Sequence, residues 1–370
     1  MERTFTVLHS ESSLGWGGQE NRTLHECLGL KRLGARPIIV CKPDSKLREK
    51  ATSNGLDVRT HKMRSNRDLS ALLFCLRLIK QERVDVVSTH SGDDSLLLAV
   101  AGRLSRSRPV IVRTRHLALP ITSRMSYSLL PHIVVTVSES VRRYLVDDKE
   151  INANRVVSIP TGVDLKIFDP DRAPDTLRQE LGLGSEIPIV GTVAILRRKK
   201  GHHVLLDAIP RVLESFPSAI FVFAGDGPQR PNIEERIENL GLGNSVKLIG
   251  LRKDVPTVLR GIDLFVLPTL QEALGTSILE AAAMKKAVIA SDVGGVSEAV
   301  INGVTGLLVP PEDAASLADA IISLLKDREK TARMGEAGRT MVERSFSMDA
   351  MARAMFDLYR GLLDARQERV

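Results

Sequence analysis

Leu264-Phe265-Val266-Leu267-Pro268 and, just downstream, Glu272-Ala273-Leu274-Gly275-Thr276-Ser277-Ile278-Leu279-Glu280 decide how this chain reads. The first run is apolar without alternation and closes on proline, as a strand buried on both faces does. The second leads into Ala281-Ala282-Ala283-Met284, whose alanines favour a helix. The segment is therefore strand, loop, helix, with Glu272 in the loop and Glu280 inside the helix. Backbone N–H groups at the helix start, near Gly275, Thr276, Ser277 and Ile278, have no carbonyl partner in the helix and make an anion site. A carboxylate on each side of an anion pocket suits a ligand that carries both phosphate and hydroxyls, and a nucleotide sugar has both.

The same alternation extends in both directions. Strands are expected near 4–9, 37–41, 57–60, 84–89, 109–114, 132–137 and 155–159. Helices fit near 18–33, 45–54, 68–81, 93–104, 122–130 and 139–146. Around 160–186 the pattern breaks at Pro160, Gly162, Pro170, Pro174 and Gly182, the best linker in the chain. A second series follows, with strands near 187–193, 219–224, 245–249, 263–267, 286–290 and 306–309. Its helices fit 201–215, 229–240, 254–260, 275–284, 314–325 and 328–343. The expected fold class is α/β: two tandem Rossmann-like domains, 1–165 and 166–346, with an interdomain cleft. A last amphipathic helix, about 347–370, is placed back on the first domain. Ligands of such sheets bind at the C-terminal strand ends.

At 370 residues the chain exceeds one ordinary domain. No run approaches the roughly 20 apolar residues a membrane span needs. The N-terminus, Met1-Glu2-Arg3-Thr4, is too short and polar for a signal peptide. Cys27, Cys41 and Cys75 show no metal spacing and read as buried free thiols in a reducing compartment, so the cytoplasm is the expected location. Charge is uneven. Residues 1–165 hold 26 Lys+Arg against 17 Asp+Glu, and the remainder hold 26 against 28. A basic N-terminal half suits an anionic membrane, nucleic acid or a phosphorylated acceptor, and plain solubility explains the charge equally well.

Three further motifs carry chemistry. Arg197-Arg198-Lys199-Lys200-Gly201 lies between a strand end and a helix, where Lys200 and an Arg from 197 or 198 reach a diphosphate. The competing reading is a solvated basic loop. Trp16-Gly17-Gly18-Gln19-Glu20 follows the first strand. It lacks the third glycine of a dinucleotide fingerprint, and Lys42 stands where strand two would end in an acid. Gly17 and Gly18 let a ligand approach the backbone, or simply make a turn. His90 and His116 each follow a strand; a lone His there is more often structural than catalytic, and His116 is the stronger candidate of the two.

Taken together, these motifs resemble the family 4 retaining glycosyltransferases (glycosyl transferases group 1) of GT-B architecture. Gly225-Asp226-Gly227-Pro228, Ile159-Pro160-Thr161-Gly162-Val163-Asp164, Gly294-Gly295-Val296-Ser297-Glu298 and Gly303-Val304-Thr305-Gly306 add to the resemblance, which covers nearly the whole chain. It implies a nucleoside-diphosphate sugar as donor substrate and a hydroxyl acceptor. Glu280 then accepts hydrogen bonds from the donor ribose, and Glu272 lies beside the transferred sugar, where a carboxylate stabilises positive charge at the anomeric carbon. Gly17 and Gly18 line the donor diphosphate, and His116 hydrogen-bonds a sugar hydroxyl or shuttles a proton. No Asp-x-Asp motif stands at a strand end, so no metal or other cofactor is expected and cations such as Lys200 serve the leaving diphosphate. The chain departs from the family in lacking an Arg nearer the strand, where Ala194 or Ile195 stands.

The implied acceptor is a glycan or glycolipid of lipopolysaccharide or other cell-envelope biosynthesis, reached by peripheral contact of the basic half with the inner face of an anionic membrane. The competing readings are a non-hydrolysing sugar-nucleotide epimerase of the same architecture and a non-catalytic basic partner or nucleic-acid-binding protein. Aromatic content of 4% without basic–aromatic interleaving argues against nucleic acid.

Overall fold

The computed structural model describes residues 4–368 except Asn66 and Thr122. It divides into two compact units, residues 1–162 with 348–370, and residues 163–347. The first holds a seven-stranded parallel sheet of β1 (Thr6–Glu11), β2 (Arg36–Cys41), β3 (Asp57–Thr60), β4 (Val86–Thr89), β5 (Val110–Arg115), β6 (Ile133–Thr136) and β7 (Val156–Ser158), in the order β3-β2-β1-β4-β5-β6-β7. The second holds β8 (Ile189–Val193), β9 (Ile220–Ala224), β10 (Val246–Gly250), β11 (Leu264–Leu267), β12 (Ala287–Ser291) and β13 (Gly306–Val309), in the order β10-β9-β8-β11-β12-β13. Strand order reverses between β1 and β4 and again between β8 and β11, the crevice where open α/β sheets take their ligands.

The apolar run that opened the sequence reading is explained by these layers. Leu264 and Val266 join the core under helices His202–Ser215 and Ala314–Lys326, whereas Phe265 and Leu267 join the opposite core with helices Thr276–Ala283 and Arg328–Ser345. Both faces are dry, so every position is apolar. The helix Met348–Gln367 packs against the first sheet, with Met351, Met355 and Tyr359 in one core with Val7, Leu30 and Val86.

Local departures have local causes. The first strand runs to Glu11 rather than stopping at residue 9, because the polar Ser10 and Glu11 are buried in the ladder beside Val40 and Cys41. The helix expected at 122–130 is only Met125–Ser128 among the described residues, residue 122 lying outside them. The helix expected at 139–146 changes to a π-helical turn, Tyr144–Asp148. Short helices Leu177–Glu180 and Val296–Ala299 have too few residues to show a period. The three cysteines are free and buried. No helix of the described residues is long and apolar enough to cross a membrane.

Candidate active site

In the second unit, the loops after β8 and β11 meet at the point of strand reversal. The β8 loop runs through a short 3-10 turn, Arg198–Lys200, to Gly201, which opens helix His202–Ser215. It is stitched to the β11 loop by the Leu270 N–H and the Thr269 hydroxyl, which both donate to the Lys199 carbonyl at 2.7 and 2.8 Å. Gly201 sits at φ +71°, and a Cβ there would fall 1.6 Å from the Pro268 carbonyl oxygen. Only glycine allows this approach. Gly201→Ala is therefore expected to cost about 3 kcal/mol or more in chemical denaturation, since both the dihedral and the contact are violated. An unchanged midpoint would mean that the two loops are not held together here.

This stitching delivers Lys200 to Glu272. The Lys200 ammonium donates to Glu272 Oε2, and the two side chains are only 18% and 15% exposed, so water screens the pair little. The same ammonium is the charge that acts on Glu280, which lies half-buried in the second turn of helix Thr276–Ala283. Burial pushes the Glu280 carboxyl up to about 7, with Lys200 pulling the other way. Lys200 thus links both carboxylates. The Ile278 amide closes the first turn onto the Gly275 carbonyl at 3.0 Å, which removes it from the expected anion site and leaves the positions Gly275, Thr276 and Ser277. Behind the loop, Gly294 at φ +55° lets backbone approach the Glu272 carbonyl, where a Cβ would lie at 2.1 Å. That places the Gly294-Gly295 motif as the support of Glu272, a role the sequence did not suggest.

Arg197 stands just before the Arg198–Lys200 turn, and its charge acts on Lys199. Arg197 is exposed and, with Arg198, lines a cavity against helix Arg230–Asn239 that includes Gln229, Asn232 and Arg236. Gly225 and Gly227 fix the other flank: the Ala194 and Leu196 N–H groups donate to the Ala224 and Asp226 carbonyls at 3.1 and 3.0 Å.

In the first unit, Gly17 caps helix Gly18–Arg32, its N–H donating to the Glu20 carboxylate at 2.7 Å. Its backbone is extended, a conformation open to any residue, and a Cβ on Gly18 would meet nothing within 4 Å. A Cβ on Gly17 would come to 3.4 Å from the Glu20 carboxylate, an ordinary contact, so neither glycine is required by packing. Beside it lies a polar cluster that sequence reasoning missed. Glu11 accepts from the Gln19 side chain and the Ser13 N–H at 2.7 and 2.9 Å, while Ser10, Ser12 and Ser91 all donate to Asp94. Burial, then Asp94, raises the Glu11 carboxyl well above the usual range. The only signal was a polar tail on an apolar strand. His116 and His90 lie side by side, His90 Nδ1 to His116 Nε2 at 3.0 Å.

The chain is similar to known glycosyltransferases. A solved glycosyltransferase structure from Rickettsia africae matches with TM-score 0.89 and 27% identity, covering 97% of this chain and 99% of that one, and defines the fold as GT-B. The family models "Glycosyl transferases group 1" and "Glycosyltransferase Family 4" match residues 174–341 and 16–167. The chain belongs to the family 4 glycosyltransferases, group 1. It is similar to D-inositol 3-phosphate glycosyltransferase of Corynebacterium urealyticum, 32% identical over 56% of this chain; the chain spans about half, 51%, of that relative's length. It is also similar to the UDP-Gal:alpha-D-GlcNAc-diphosphoundecaprenol alpha-1,3-galactosyltransferase of Escherichia coli, 28% identical over 79% of each chain.

Proposed function

We propose that this protein transfers a sugar, with retention at the anomeric carbon, from a nucleoside-diphosphate sugar to the hydroxyl of a glycan or glycolipid acceptor of the cell envelope. The observation that carries this reading is Lys200 held against Glu272 and acting on Glu280 where the strand order reverses. A cation there neutralises the leaving diphosphate without a metal, aided by the helix start at Gly275, Thr276 and Ser277. Glu280 accepts from the vicinal ribose hydroxyls, and Glu272 stabilises the oxocarbenium-like charge of the transferred sugar. For Gly17, Gly18 and His116 the family resemblance alone supports the roles of lining the diphosphate and meeting a sugar hydroxyl. The acceptor class rests on the similar E. coli enzyme, whose name gives a diphosphoundecaprenol-linked sugar as acceptor, and on the basic charge of residues 1–165. That charge also supports peripheral binding to an anionic membrane from the cytoplasmic side. Vesicle binding that weakens with salt tests it; salt-independent binding removes the electrostatic contribution.

The central test is titration with UDP-, GDP- and ADP-sugars, then turnover with and without a lipid-linked acceptor. Transfer only with acceptor supports the reading. Donor conversion to an isomeric nucleotide sugar without acceptor would instead make the protein an epimerase.

A pH prediction follows from Glu280. The ionised carboxylate is the stronger acceptor for ribose hydroxyls, and burial raises the Glu280 carboxyl to about 7. Donor affinity is therefore expected to rise roughly tenfold between pH 6 and pH 8, as the ionised fraction grows. Calorimetric titration across this range checks it. Glu280→Gln should flatten the profile and hold it at the weak end. A flat wild-type profile would remove Glu280 from the ribose contact.

A further inference from the structure

Three histidines of the first unit form one row across neighbouring strands. His9 lies in β1, His90 directly follows β4, and His116 directly follows β5. His9 Nδ1 is 3.0 Å from His90 Nε2, and His90 Nδ1 is 3.0 Å from His116 Nε2. Successive ring centroids are 5.3 Å apart. His9 and His90 are buried, and His116 alone of the three keeps partial exposure. Burial holds all three below the ordinary imidazole range, so the row is neutral near pH 7.

A neutral imidazole carries one N–H. Two N···N contacts among three such rings then allow only two arrangements. In one, His116 Nε2–H donates to His90 Nδ1, His90 Nε2–H donates to His9 Nδ1, and His9 carries its proton on Nε2. In the other every proton is reversed, and His116 is protonated on Nδ1.

The surrounding charges choose between them. The Glu26 carboxylate acts on His9, whereas the Arg22 guanidinium acts on His90 and His116, and Arg115 acts on His116. Glu26 and Arg22 are themselves a fully buried pair, Nε to Oε2 3.8 Å, and Glu26 Oε1 accepts from the Tyr359 hydroxyl at 2.8 Å. The Tyr359 hydroxyl also lies 3.0 Å from Ser88 Oγ, next to His90. His9 Nε2 and Glu26 Oε2 are both buried with no hydrogen-bond partner among the described residues. The first arrangement shifts the protons toward His9, on which the carboxylate acts, and away from His116, on which the guanidiniums act. The second shifts them the opposite way. In a dry interior that difference is poorly screened.

We propose that His9 and His90 are positioning residues that hold His116 as its Nε2–H tautomer, so that its remaining nitrogen, Nδ1, accepts a hydrogen bond from a hydroxyl of the transferred sugar. The hydroxyl's owner rests on the function proposed above; the tautomer does not. Long-range 1H–15N correlation spectra of the full chain labelled with [15N]histidine read it directly at neutral pH, with His116→Gln and His90→Gln spectra for assignment. A neutral His116 with a bare Nδ1 is expected, and a protonated Nδ1 would overturn the proposal.

His9→Phe removes the acceptor at the inner end. His116 should then flip to Nδ1–H, with kcat down roughly tenfold or more, as for a misoriented catalytic imidazole, and donor affinity nearly unchanged. His9→Gln still offers an amide oxygen to His90 and should keep both the tautomer and most of the rate. A flipped tautomer with unchanged kcat would remove the role in transfer. Should His9→Phe not fold, the wild-type spectrum decides the tautomer and His9→Gln the rate. If the wild-type chain transfers no sugar, the proposed function falls while the tautomer still stands or falls on the spectrum.

Discussion

Glu272→Ala should lose on the order of a hundred- to a thousandfold in turnover while binding the donor within a few-fold of wild type. The asymmetry follows from what Glu272 does in each state. Its carboxylate is held by Lys200 and backed by the Gly294-Gly295 loop, where the Gly295 N–H donates to the Glu272 carbonyl at 3.3 Å. Its position is therefore set by the fold before any ligand arrives. A carboxylate so placed interacts weakly with a neutral sugar and strongly with one that has begun to carry positive charge, and that difference is what accelerates a reaction. Glu272→Gln, nearly isosteric, should lose most of the same rate, because charge rather than shape is removed. Single-turnover kinetics beside calorimetric donor titration measure the two quantities. Wild-type turnover in both variants would exclude Glu272 from the chemistry.

Lys200→Ala should impair binding and turnover together, with donor affinity down at least about tenfold and kcat/KM down on the order of a thousandfold. The diphosphate is charged in the ground state and more so as the bond to the sugar breaks, so one cation serves both states. The loss has a second component. Lys200 is the charge that holds the Glu280 carboxyl down against burial. Without it Glu280 should titrate above 7, and the rise of donor affinity with pH should move to higher pH. Glu272 would also lose its partner. The double variant Lys200→Ala/Glu272→Ala should therefore be less impaired than the product of the single losses predicts. Strict additivity would mean that the two groups act independently despite their contact.

The distance between prediction and structure varies with the kind of signal. Strand β11, its loop and its helix were legible because a strand buried on both faces and an alanine-rich helix leave their marks within a few residues. The end of β1 was not, because Ser10 and Glu11 are polar residues stabilised inside a sheet by partners such as Gln19 and Asp94, remote from any local pattern. The choice between Arg197 and Arg198 stayed open in the sequence for a similar reason. The path of that loop depends on Gly201 passing the Pro268 carbonyl and on two hydrogen bonds to Lys199, and the same path leaves both arginines beside helix Arg230–Asn239. The histidine row was half visible. His90 and His116 could each be placed at a strand end, but nothing near His9 marks it as their neighbour.

Alternating apolar strands and amphipathic helices, readable residue by residue, determined on their own that this chain builds two parallel α/β sheets, because periodicity of burial is a short-range property. Which loops meet was decided only by the tertiary structure. Setting β8 beside β11 brings Lys200 to Glu272 across 72 residues of chain, and setting β1, β4 and β5 side by side brings His9, His90 and His116 into one row. Strand order is fixed by the packing of a whole core, and no local propensity contains it.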